Sequence, residues 1–179
     1  MSTLARDTGL APPGTGPLNR AELEVVADRL TRRADLWAHE IDPSAGVRRY
    51  VALHRDDRMD AWAIFWVPQS DTGWHDHDLS SGAVRVVEGA LEEHALRVGG
   101  PPLRRTCPAG ETFSFGPDHI HRLTCEVPTA ISIHVYSPAL WRLGQYAVDD
   151  DGVLRRLSVS YADELRPLDG SDMRVVSMP

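Results

Sequence analysis

Apolar residues in "LNRAELEVVADRLTRRADLWAHEI" recur every three to four positions, at Leu23, Val26, Leu30, Ala34 and Trp37. That period predicts an amphipathic helix over residues 19–40. Asn19 followed three residues later by Glu22 has the form of a capping box, and Leu18 can staple to Leu23. From about residue 46 the period drops to two. Short β-rich stretches follow: "VRRYVAL", "AWAIFWV", "GAVRVVEG", "ALEEHALRV", "LRRTCPAG", "ETFSFG", "HIHRLTCEV", "TAISIHVYS" and "GVLRRLSVS". Gly, Pro and Asp clusters separate them at roughly 8–12-residue spacing, the pattern of an all-β sandwich or barrel. Residues 1–17, rich in Gly, Pro and Thr, read as a flexible tail, and residues 162–179 as a strap or tail. The expectation is one all-β domain over residues 18–161, with a barrel over about 46–160 and the helix as its N-terminal cap.

Bulk composition narrows the partners. The 179 residues suit a single domain with its own core. With 26 acids against 19 basic residues, a net charge of −7 and no basic block, nucleic acid and anionic membrane are not expected as partners. Two cysteines, Cys107 and Cys125, exclude a disulfide framework but leave room for a single bridge; buried structural thiols are the preferred reading. No signal-peptide core and no apolar run of membrane-spanning length stand out, so the cytoplasm is the expected compartment. Composition leaves the oligomeric state open.

The candidate chemistry lies in the histidines. His75 and His77 in "GWHDHDLSSG" are i and i+2, so on a strand both imidazoles share one face and Asp76 points away. Two imidazoles on an inward face suit a late first-row divalent metal. The spacing from His77 to Gly82 and Gly89, and from Gly110 to His121, resembles the two motifs of the cupin superfamily, a metal-holding double-stranded β-barrel. Gly82 stands where the first motif usually has Glu, Asp118 where the second often has Gly, and Cys125 where Asn is frequent. A set of His75, His77 and His121 would therefore be neutral, leaving a divalent ion its full charge for an anionic ligand such as thiolate. His119 alternates with His121 and competes for the third place. The Gly110 spacing favours His121, with His119 at the rim or behind a ligand.

"SIHVYSP" adds Ser132, His134 and Tyr136, all on one face of a strand. Taken with "HDH" and "HR", this order resembles the cysteine dioxygenase family of cupins, over about residues 47–140. The resemblance implies a cupin jelly roll and ferrous iron on His75, His77 and His121. It also implies Tyr136 beside substrate and oxygen, with His134 and Ser132 as its relay. Animal members crosslink a cysteine to that tyrosine; Gly82 occupies its position, so no crosslink is expected.

An early arginine holds the substrate carboxylate in cysteine-using members. Arg48, Arg49 and Arg55 are the candidates. Ungapped counting back from Trp66 favours Arg49, which shares a strand face with Val51 and Leu53, while Arg48 faces away. A bidentate guanidinium suits a carboxylate in a closed cavity. Val47 stands where the family often has tyrosine, which bears on substrate identity. Asp78 reads either as a turn residue or as a rim anion for a cationic substrate group. Trp62 and Trp74 can line a pocket or fill core, and His39, His54 and His94 read as surface or satisfied structural residues.

The resemblance thus implies an iron(II) thiol dioxygenase that adds O2 to the sulfur of a small thiol, giving a sulfinate. L-cysteine is its default substrate; 3-mercaptopropionate or a thiolated histidine betaine such as ergothioneine are alternatives. A different class remains open at this stage, a cupin that binds a metal or small ligand without catalysis.

Overall fold

A computed structural model describes residues 10, 12–41, 46–148, 151, 153–163 and 165–168. Helix α1 spans Arg20–Thr31 and starts with the expected capping box. The Asn19 side chain accepts from the Glu22 N–H at 3.1 Å, and the Glu22 carboxylate accepts from the Asn19 N–H at 2.8 Å. The helix ends at Thr31 rather than near residue 40; Ala34–Leu36 and Ala38–Glu40 are separate 3₁₀ turns. The physical reason is Trp37. Its indole N–H donates to the Leu30 carbonyl at 3.3 Å, and the ring is buried in the same cluster as Leu30. Tertiary burial here overrides the local period.

The barrel is built from β1 Arg49–Arg55, β2 Asp60–Trp66, β3 Trp74–Asp76, β4 Ser81–Glu88, β5 Ala90–Ala95, β6 Leu103–Pro108, β7 Thr112–Phe115, β8 His121–Thr124, β9 Ala130–Ser137, β10 Arg142–Val148 and β11 Leu154–Ser160. One sheet runs β1-β2-β9-β4-β7 and the other β11-β10-β3-β8-β5-β6, with every pairing antiparallel. The fold is an all-β cupin-type sandwich. Ile64, Trp66, Val84, Val86, Leu91, Phe113, Phe115 and Leu123 fill its interior. A second cluster lies on the outer face of the first sheet. There Leu23, Val26, Ala27 and Leu30 of α1 pack on Ala63, Ala83, Ile133 and Val135. The inner strands β2 and β9 of that sheet are buried on both faces, so "AWAIFW" reads as a continuous apolar run rather than a clean alternation.

Two strands, β3 and β10, fall outside the stretches the pattern picked out. β3 has three residues, and β10 carries a glycine at its third position, Gly144. A Cβ on Gly144 would collide with the side chains of Arg156 and Asp76, so close approach, not β-propensity, selects the residue there.

Both ends of the domain are tied down. Leu10 is buried in the helix cluster. Arg58 donates to the carbonyls of Pro12 and Gly16, each at 2.9 Å, which pins this segment at two points although residues 13–17 are exposed. Residues 1–9 and 11 lie outside the described residues, as do 169–179 at the other end. Gln145 donates to the Arg166 carbonyl at 2.7 Å. Gly73, at φ +65°, has that carbonyl 2.7 Å from where a Cβ would stand. The described residues 161–163 and 165–167 therefore run as a strap that packs on Gly73 and Gln145, and Tyr161, Ala162, Asp163 and Leu165 line the adjoining cavity.

Candidate metal centre

The short β3 and β8 present the histidines. His75 and His121 are directly paired in register, and His77 follows β3. All three are buried, and each offers one ring nitrogen within 4.8 Å of the others. The position of each ring has a visible cause. His75 Nδ1 lies 3.1 Å from the Gly73 carbonyl and His121 Nδ1 lies 2.9 Å from Glu93 Oε1. As donors to oxygen, these leave each Nε2 with its lone pair. His77 is sandwiched between Phe115 and Tyr136, with centroids at 4.8 and 4.9 Å. Burial, first, and the neighbouring histidines push His75 and His77 well below the ordinary imidazole value. Burial also lowers His121, although Glu93 opposes it. Three neutral imidazoles are the form in which histidine ligates.

His121 Nε2 and His77 Nδ1 are buried with no hydrogen-bond partner among the described residues. An orphaned buried nitrogen is costly. A bound divalent ion would satisfy such an atom, so the donor set fits a metal.

Beside the histidines lies a cavity of about 250 Å³, walled by Arg48, Tyr50, Trp62, Trp66, Tyr136 and the strap residues Tyr161 and Leu165, among others. A hydrogen-bonded chain on β9 ends in it. The Trp66 indole N–H donates to Ser132 Oγ at 2.8 Å, Ser132 Oγ lies 2.8 Å from His134 Nε2, and His134 Nδ1 lies 3.0 Å from the Tyr136 hydroxyl. Burial pulls His134 down to about 3, with His121 and Arg48 contributing. It raises the Tyr136 phenol, with Asp60 adding to the rise. Imidazole and phenol therefore both stay neutral at ordinary pH.

A family model for cysteine dioxygenase type I matches residues 32–148. The chain belongs to the cysteine dioxygenase type I family. That family is one of non-haem metal oxygenases on a cupin barrel, consistent with the three-histidine cluster. No curated protein matches the chain. Among solved structures, an RmlC-like cupin from Shewanella frigidimarina is 23% identical, covering 53% of this chain and 79% of its own, with a TM-score of 0.46. A cupin superfamily protein from Desulfitobacterium hafniense is 9% identical, covering 57% and 87%, with a TM-score of 0.49.

The cysteine dioxygenase pattern and the structure part company at the arginine. Arg49 is exposed and absent from the cavity wall, whereas Arg48 lines it. The reason is that the barrel has two cores. Val51 and Leu53, which share the Arg49 face, pack on the helix-side cluster outside the sheet. Arg48 and Tyr50 face the interior, with the Arg48 guanidinium 5.3 Å from the centroids of both Tyr50 and Trp66 and its Nη2 donating to the Leu165 carbonyl. Arg55 instead binds the buried Asp60 at 2.6 Å and the Leu140 carbonyl at 2.7 Å.

Asp78 is a turn residue at φ +54°, outside the cavity wall, and its carboxylate lies 3.3 Å from Arg156. The cationic-substrate role therefore has no support from its position. Asp76 points away from the ligands into a pair of hydrogen bonds from Arg156, both 2.8 Å, one from Tyr146 at 2.5 Å and one from the Gly144 N–H at 3.0 Å. Burial alone would raise it; these bonds outweigh burial and hold Asp76 well below the usual carboxylate range. This clamp fixes β3, and with it His75 and His77.

His119 stands behind the site, with Nε2 3.0 Å from Glu93 Oε1. Trp62 lines the cavity and Trp74 does not. His54 pairs with Asp56 at 3.0 Å, and His39 is exposed. Cys107 and Cys125 are buried and not joined to each other. Gly82 has a steric cause. It is paired to Phe115 on one side and Tyr136 on the other, and a Cβ there would sit 2.5 Å from the Phe115 ring and 3.1 Å from Tyr136. No glutamate side chain fits without moving both rings.

Proposed function

We propose that the protein is a non-haem iron(II) thiol dioxygenase acting on a small thiol that carries a carboxylate, with L-cysteine as the default substrate. The observation that carries this reading is the Ser132–His134–Tyr136 chain ending in the cavity that His75 and His77 line, with His121 clustered beside them. Simple metal storage needs no such chain. Overall, RSH and O2 give RSO2H: sulfur loses four electrons, O2 takes them, and no external reductant enters.

His75, His77 and His121 would hold ferrous iron, which would supply the redox chemistry between thiolate and O2. The chain's own residues do the rest. Arg48 meets the carboxylate with charge-assisted hydrogen bonds. Ser132, already accepting from Trp66, donates to His134 Nε2; Nδ1–H then donates to the Tyr136 oxygen. That arrangement leaves the phenol proton to point at the reacting atoms, where it can hydrogen-bond developing negative charge on oxygen. Trp62, Tyr161 and Leu165 exclude water from the cavity. O2 and the thiol are the only partners this reading requires, and the cytoplasm is its proposed compartment, in keeping with two unpaired thiols.

Oxygen uptake by iron-loaded protein, run against cysteine, 3-mercaptopropionate and a thiolated histidine betaine, with the sulfinate identified by mass, tests the reading. Thiol-dependent uptake is expected. Iron binding with no uptake for any member of a broad thiol panel would leave a non-catalytic cupin instead. Tyr136→Phe is expected to keep iron and lower kcat about 100-fold. Unchanged turnover would remove the phenol from the chemistry.

A further inference from the structure

Glu93 is the acid closest to the metal centre in hydrogen-bonding terms, and the family motif gives it no role. It lies on β5, where the alternation with Leu91 turns it inward, and it is 3% exposed. Its Oε1 lies 2.9 Å from His121 Nδ1 and 3.0 Å from His119 Nε2. Its Oε2 accepts from Arg105 Nε at 2.6 Å. Arg105 extends over the Phe113 ring, 4.4 Å from its centroid, and reaches Glu111 at 3.6 Å. A buried carboxylate with three donors arranged around it is a built feature, not a stray surface charge.

We propose that Glu93 is a positioning residue for the metal, supplying through His121 the negative charge that the ligand set itself lacks. The inference rests on reading His75, His77 and His121 as the metal site. As acceptor from His121 Nδ1–H, Glu93 fixes the tautomer and aims the orphaned Nε2 inward. Its charge, passed through a polarised imidazole, makes that nitrogen a stronger donor. Gly82, with Phe115 and Tyr136 against it, leaves no room for a carboxylate in direct contact with the ion. The anion stands one imidazole further out, where it neutralises charge without taking a coordination position from thiolate or O2.

Glu93, His119 and His121 also satisfy the spacing of a second cation site. Arg105 already occupies Glu93, and both imidazoles face one oxygen as donors, so the cluster is read as hydrogen-bonded. Arg105 tunes the device, since its positive charge offsets part of the carboxylate's.

Cobalt(II) binding followed by its visible spectrum, together with the potential of the iron-loaded protein, tests this. Glu93→Gln keeps an acceptor for His121 but removes the charge. Its cobalt dissociation constant is expected to rise about tenfold, and its iron(III)/iron(II) potential to rise. Arg105→Gln, at a half-exposed position, is expected to shift the potential the opposite way and tighten cobalt. A merely structural role for Glu93 would not produce opposite signs. Potentials that move together, or a Glu93→Gln variant that matches wild type, overturn the proposal while leaving the three-histidine site intact. Wild type that binds no cobalt would overturn that site itself. A second equivalent of cobalt, lost in Glu93→Gln, would assign the cluster to a metal and also overturn the proposal.

Discussion

Arg48 lines the cavity between Tyr50 and Trp66, while Arg49 stands exposed on the helix side of the sheet. Charge-assisted hydrogen bonds to a carboxylate are worth about 1.5–3 kcal/mol, which corresponds to roughly 10–100-fold in affinity. Arg48→Ala is expected to raise KM for carboxylate-bearing thiols by that factor and Arg49→Ala to leave it unchanged; steady-state kinetics on both variants read the difference. If Arg49→Ala weakens binding as much as Arg48→Ala, the assignment is wrong. The two residues are adjacent in sequence, and two positions on from each stands a residue that can be buried, Tyr50 or Val51. Alternation alone cannot tell them apart, because an apolar cluster lies on each side of this sheet. Gly82 teaches the converse. Its lack of a side chain was plain in the sequence, but its cause, the rings of Phe115 and Tyr136 across two strand pairings, was not.

At the scale of elements, the site and the cap occupy opposite faces of one sheet. β9 carries Ser132, His134 and Tyr136 inward and Ile133 and Val135 outward against α1. The helix therefore contributes stability without touching the chemistry. Leu30→Ala removes a fully buried side chain from that outer cluster and is expected to cost about 2–5 kcal/mol in urea unfolding, with cobalt affinity unchanged. A large drop in affinity at full folding would mean that α1 positions the metal centre. The helix start was legible because capping is local, carried by Asn19 and Glu22 alone. Its end was not, because Trp37 leaves the helical path to bury its ring and bond to Leu30. The strand reading of the H-x-H pair was legible, but the bounds of β3 were not: three residues carry little pattern, and the Asp76 clamp that holds them draws on Gly144, Tyr146 and Arg156 from far along the chain.

For the molecule as a whole, burying neutral imidazoles makes stability depend on pH. His134 drops to about 3 in the folded state from an ordinary value of 6.5. Between those values the unfolded chain binds a proton that the folded one does not. Its contribution is thus complete above pH 6.5 and is lost as pH falls towards 3. Metal-free protein is expected to lose on the order of 3 kcal/mol through His134 between pH 7 and 4. Urea unfolding at each pH should show a shallower decline for His134→Gln, and an equal decline would refute the assignment. By itself the sequence determined the β-class, the helix start, the shared face of His75 and His77 and the Ser132–His134–Tyr136 alternation, because strand period and local capping are short-range properties; His121 as their partner was implied only by the family resemblance. Tertiary structure decided which arginine faces the cavity, where the strap runs, why Gly82 must be glycine and that Glu93 stands behind His121. Each of these depends on which strands become neighbours and which face of a sheet with an apolar cluster on each side looks inward, and that is settled only when distant segments pack.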